Sequence, residues 1–87
     1  MITGFNTNIE HQGQIYHVQT ESEGTTFVIV STFLFKDGAA LLSRKTQYLL
    51  AAAGQTSDDT IRDWMKDQHK KVLKDLVAGK VPLPRIQ

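Results

Sequence analysis

Apolar and polar residues alternate along this chain with two different periods, and the change of period divides it. Up to about residue 48 the apolar side chains recur at every second position, the spacing of a strand with one buried face. From Ile61 to Leu76 they recur every three or four, the spacing of an amphipathic helix. The six glycines fall where one periodic stretch stops and the next begins, as suits a residue that takes positive φ without steric cost.

In the first stretch, Phe5, Thr7 and Ile9 alternate with Asn6, Asn8 and Glu10, and His11, Gln12 and Gly13 make a turn. The second runs from Gln14 to Glu21, with Tyr16 and Val18 on one face and His17, Gln19 and Glu21 on the other. Ser22, Glu23 and Gly24 close it, and Phe27 to Phe35, rich in β-branched and aromatic residues, forms the third. Asp37-Gly38 is a hairpin signal, because a type I′ turn needs positive φ at both central residues. The fourth stretch runs from about Ala39 to Tyr48. The segment from Leu49 to Gly54 reads equally as a longer strand or a helical turn.

Ser57 is the expected N-cap of the helix, with Asp58 and Asp59 placed to complement its positive end. Ile61, Trp64, Met65, Val72, Leu73 and Leu76 share one side with Gln68 and His69. Asp63, Lys66, Asp67, Lys70 and Lys74 share the other, where Asp67 can pair with Lys70 and Lys71. Gly79 and Pro82 end the helix after about 20 residues. The expected architecture is an α+β domain over residues 1–80, a four-stranded antiparallel β-meander packed by one C-terminal helix, with a tail from 81 to 87.

One strand strains this picture. A single helix covers one face of a sheet, yet the third strand is apolar on both, with Phe27, Ile29, Phe33 and Phe35 on one side and Val28, Val30 and Leu34 on the other. Leaving three such side chains in water forfeits about 3 to 6 kcal/mol at about 25 cal/mol per Å², comparable with the whole stability of a small domain. Either the tail or the segment from Leu49 to Ala53 folds over Val28, Val30 and Leu34, or those three form an interface with a second copy or another protein.

Composition narrows the classes. The chain has 87 residues, 40% of them hydrophobic and 22% charged, a net charge of +1 and no cysteine, which suits one small globular domain and excludes disulfides, thiolate metal sites and a cysteine nucleophile. No basic region followed by an apolar core opens the sequence, and the apolar run around Phe27 to Phe35 is too short to span a bilayer. A cytoplasmic location without membrane contact is the default expectation.

Candidate chemistry is sparse. His11, His17 and His69 lack the close spacing of a metal site, so neither a metal nor another cofactor is expected. His69 lies between Met65 and Leu73 on the apolar side of the helix and reads best as a histidine at the border of the core, hydrogen-bonded to a strand. No nucleophile elbow is present, and an enzyme ranks last. Lys66, Lys70, Lys71 and Lys74, with Lys80 and Arg85 beyond, suggest a phosphate-facing helix, but Asp63, Asp67 and Asp75 are interleaved among them, as on a solvated face. Trp64, beside Ile61 and Met65, reads as a core anchor.

Two strings carry a resemblance. Tyr16-His17-Val18-Gln19-Thr20-Glu21 and Met65-Lys66-Asp67-Gln68-His69-Lys70, with Ser43 to Tyr48 and Leu76 to Gly79, make the chain similar to a small bacterial domain family, found mainly in delta-proteobacteria, with a Y-H-V-Q-T-E strand and an M-x-x-Q-H-K helix. Where that family has a histidine in its third strand, this chain has Phe33. The resemblance implies no activity, but it marks Tyr16, His17, Gln19, Glu21, Gln68, His69 and Lys70 as a candidate polar site. The reading that follows is a non-catalytic protein-interaction or homodimerisation module. The alternative is a small nucleic-acid or nucleotide-binding domain using the basic side of the helix.

Overall fold

The structure, a computed structural model, describes residues 3–24, 27–49 and 57–81. Four strands, β1 (Phe5–His11), β2 (Gln14–Glu23), β3 (Phe27–Lys36) and β4 (Ala39–Leu49), form one antiparallel sheet in the order β1-β2-β3-β4, followed by a helix, α1 (Asp58–Val77). This is the expected α+β meander with one helix. Leu49 belongs to the fourth strand, while residues 50–56 and 82–87 lie outside the described residues, and with them the expectation that either segment covers a sheet face.

Turn chemistry sets the joints. Asp37 and Gly38 have φ of 52° and 81°, and Gln12 and Gly13 have 52° and 77°, the paired positive values of tight hairpins whose twist matches the strands they join. Gly24, at φ 112°, has no room for a side chain, because a Cβ there would lie 1.9 Å from the Phe27 carbonyl oxygen. Ser57 caps α1 by accepting a hydrogen bond from the Thr60 N–H at 3.2 Å. At the other end the Gly79 and Lys80 N–H groups donate to the Leu76 and Asp75 carbonyls at 3.1 and 2.8 Å, a Schellman closure.

The hairpin between β3 and β4 holds the least predictable feature. The tight turn pairs Lys36 with Ala39 and Phe35 with Ala40, but the register then shifts, so that Leu34 pairs with Leu42. Had the first register continued, Leu41, Ser43, Lys45 and Gln47 would face α1. The bulge reverses the parity. Arg44, Thr46 and Tyr48 face the helix and Ser43, Lys45 and Gln47 point away.

Helix α1 crosses β1, β2 and β3 on the face that carries Tyr16, Val18, Val28, Val30 and Leu34. Val28, Val30 and Leu34 are therefore core residues, 3%, 0% and 0% exposed, which corrects their expected role as an interface. The cause is parity. Val18 pairs with Leu34, and Thr20 with Thr32, so the smaller side of β3 shares a face with the inward residues of β2, and among the described residues nothing covers the phenylalanine side.

The core is in two parts. One gathers Tyr16, Val18, Leu34, Val72, Leu76 and Val81, and the other gathers Val28, Val30 and Met65, with Trp64 and Tyr48 at its margin. The Trp64 and Tyr48 rings stack with centroids 4.2 Å apart and planes within 3°. Arg44 ties β4 to the helix through Asp75 at 3.1 Å. Among the described residues the ion pairs are this one and, within the helix, Arg62 with Asp59, so the lysine-rich helix side is solvated. No helix among the described residues is long and apolar enough to cross a membrane.

Burial separates two neighbours on α1, since Leu76 is fully buried and Val77 is 56% exposed. Leu76→Ala is expected to lower unfolding free energy by about 3 kcal/mol, and Val77→Ala by about 0.5 kcal/mol or less, measured by urea denaturation.

Candidate functional site

The sheet divides the candidate polar residues between two environments. Tyr16 is in the core, and Gln68 and His69 are buried between helix and sheet. His17, Gln19 and Glu21 lie on the opposite face of β2, and Lys70 is exposed on the helix. The seven do not converge on one site.

Gln68 and His69 fill the gap between the two apolar clusters. The two protons of the Gln68 amide nitrogen are shared among the Val30 carbonyl, the Thr32 hydroxyl and the Arg44 carbonyl, each 3.0 Å away, and its amide oxygen accepts from the Thr46 hydroxyl. Thr32 and Thr20 hydroxyls are 2.7 Å apart. The His69 ring bridges onward, with Nδ1 2.8 Å from the Thr20 hydroxyl and Nε2 2.8 Å from that of Thr7. The Tyr16–Glu21 string on β2 and the Met65–Lys70 string on α1 thus meet at the contact between Thr20 and His69.

Proton counting orders this chain. The Gln68 nitrogen beside Thr32 can only donate, so it cannot take the Thr32 proton. If Thr20 donated to Thr32, the buried Thr32 proton would have no acceptor among these contacts, so Thr32 donates to Thr20, Thr20 donates to His69 Nδ1, and His69 Nε2–H donates to Thr7. The network assigns a neutral His69 with its proton on Nε2. Burial holds the His69 pKa below the ordinary histidine value, and His17, through its charge, acts in the same direction. Among the described residues no buried side-chain nitrogen or oxygen lacks a partner. The donors and acceptors of this layer are engaged with one another, and it acts as a structural key for the helix.

Sequence reasoning missed Thr7, Thr20, Thr32 and Thr46 as the partners of this layer. A signal existed in β2, because Thr20 continues the inward alternation of Tyr16 and Val18. In β4 it was hidden, since the bulge decides that Thr46 points inward.

Among the described residues the other face of the sheet is open. Phe27, Ile29, Phe33 and Phe35 run along its middle on β3, and no described element lies over them. Phe27 is 42% exposed, while Ile29, Phe33 and Phe35 are half-buried by their neighbours. The rings of Phe33 and Phe35 lie 6.0 Å apart, and His17 extends the row 6.2 Å from Phe35. The His17 ring nitrogens sit 2.8 and 3.2 Å from the side-chain oxygens of Asn8 and Asn6. Polar residues flank the row on both sides, Gln19 and Glu21 on β2 and Ser43, Lys45 and Gln47 on β4. An apolar centre inside a polar rim is the anatomy of a protein interface.

Comparison with protein-family models, curated proteins and solved structures found no match to this chain.

Gln68→Leu keeps the size of the side chain and removes its bonds, leaving two threonine hydroxyls and two strand carbonyls without the amide. A loss of about 2 to 3 kcal/mol is expected in urea denaturation. The depressed pKa of His69 gives the pH dependence its sign. The unfolded chain binds a proton on this residue near pH 6.5 and the folded chain only at lower pH, so its contribution is complete above about pH 6.5 and is lost as pH falls through the lowered folded value. Comparing urea midpoints at several pH values between about 7.5 and 5.5, the native chain is expected to lose more stability than His69→Gln.

Proposed function

We propose that this chain is a non-catalytic homodimerisation module that docks a second copy through the open face of its sheet. The observation that carries the reading is the row of Phe27, Ile29, Phe33 and Phe35 on the side away from the helix. Aromatic side chains in a central stripe, rimmed by Gln19, Glu21, Ser43 and Lys45, are the composition of an interface core and its rim. Two such faces stack about 10 Å apart, the spacing at which the sheets of a β-sandwich interdigitate.

Two further points support a non-catalytic role. The buried His69 ring is locked between two hydroxyls, and the exposed lysines of α1 share their surface with Asp63 and Asp67, a mixed surface unlike the clustered positive charge of a nucleic-acid binder. Self-association also suits a chain of 87 residues, whose own core is small.

The test is the mass in solution by light scattering at ~10 to 100 µM, where a dimer with an interface of ordinary size is populated. The native chain is expected at twice the monomer mass. Phe33→Asp, which leaves the helix packing untouched, is expected to weaken association at least about tenfold with an unchanged circular dichroism spectrum. A native chain that keeps the monomer mass across that range overturns the reading.

A further inference from the structure

The open face carries more than an apolar stripe, because its charges are arranged by sides. Glu21 on β2, Ser31 on β3 and Lys45 on β4 stand opposite one another in a single row across the sheet. Glu21 and Lys45 are both exposed, and the Glu21 carboxylate accepts a hydrogen bond from the Gln19 amide at 2.6 Å. Two strand spacings, about 10 Å in all, separate the backbones of Glu21 and Lys45, and neither takes part in an ion pair among the described residues. One rim of the stripe is therefore acidic and the other basic, at the same height.

Resting on the proposed self-association, we infer that the two copies are related by a two-fold axis running along β3, with Glu21 of each copy facing Lys45 of the other. Such an axis, lying between the sheets, exchanges the β2 side of one copy with the β4 side of its partner and preserves height along the strands. Glu21 then meets the partner's Lys45, and the contact occurs twice, as in any isologous interface. Ile29, Phe33 and Phe35 each meet their own counterparts along the axis. The rotation of about 30° between aligned packed sheets displaces the outer strands by only a few ångströms, and side chains as long as glutamate and lysine absorb that.

The competing axis runs across the strands at the height of Ser31. It reverses height and keeps each strand over itself, which sets Glu21 against Glu21 and Lys45 against Lys45. Like charges facing one another at an interface suppress that arrangement. Charge thus selects the parallel stacking, and the β3-β4 bulge is its precondition, because without the register shift Lys45 would face the helix.

Charge exchange tests this and separates it from association itself. Glu21→Lys sets lysine against lysine at both contacts of its own dimer, and Lys45→Glu sets glutamate against glutamate. Each variant alone is therefore expected to associate at least about tenfold more weakly than the native chain in sedimentation velocity. An equimolar mixture of the two variants is expected to dimerise again, because each dissimilar pair restores both contacts. The double variant E21K/K45E is expected to dimerise alone. Native-like association of both single variants overturns the inferred axis while self-association stands. A monomeric native chain overturns the axis together with the module reading. Both positions are exposed, and matching circular dichroism melts establish that the variants are folded.

Discussion

The buried hydrogen-bonded layer of Gln68, His69 and four threonines determines where the helix can sit. An apolar helix face on an apolar sheet slides at small cost, since one aliphatic contact replaces another. Here a slip of one helical turn, about 5.4 Å, would set Met65 or Val72 against Thr20 and Thr32, leaving the two hydroxyls only each other and parting the buried Gln68 amide and His69 ring from their partners on the sheet. Each buried polar group left unpaired costs about 1 to 3 kcal/mol, so a slip forfeits an amount comparable with the stability of a small domain. The two apolar clusters on either side supply the burial, and the polar layer between them supplies the register.

That register rests in turn on strand parity. Gln68 reaches the Val30 carbonyl and the Thr32 hydroxyl on β3 as well as the Arg44 carbonyl and the Thr46 hydroxyl on β4, which requires inward residues of neighbouring strands to stand level. Pairing Thr20 with Thr32 achieves this between β2 and β3. Between β3 and β4 the hairpin turn alone would put Thr46 on the wrong side, and the shift after Phe35 restores it. One extra residue near Leu41 thereby serves both faces, aiming Thr46 and Arg44 at the helix and Lys45 at the open side.

Local periodicity made the elements legible, and it could not decide how they combine. Phe5-Thr7-Ile9, Tyr16-Val18 and the three-to-four spacing from Ile61 to Leu76 announce strands and helix directly, and Asp37-Gly38 and Ser57 announce a turn and a cap. Placing His69 on the sheet side of the helix needed only the helical period. The relation of β3 to its neighbours is different in kind, because both of its faces are apolar and periodicity is indifferent between them. Only the number of residues in the connection between β2 and β3 settles which face shares a side with Val18. Size favoured burying the phenylalanines, register buried Val28, Val30 and Leu34 instead, and register prevailed because every hydrogen bond of the ladder depends on it.

The consequence reaches beyond the core. Had the phenylalanine side been covered by the helix, the remaining face would have offered Val28, Val30 and Leu34, aliphatic groups of smaller area. The arrangement found puts the larger, flatter groups on the side away from the helix, with His17 aligned beside Phe35. Core packing gives no reason for aromatic rings on that side, since they touch neither cluster under the helix. Strand propensity accounts for β-branched and aromatic residues in general, but threonine or tyrosine would satisfy it at lower cost in exposed apolar area. A stripe of phenylalanine flanked by opposite charges on opposite sides is therefore a property of the surface, and it is at the surface that its effect on solubility and association must be felt.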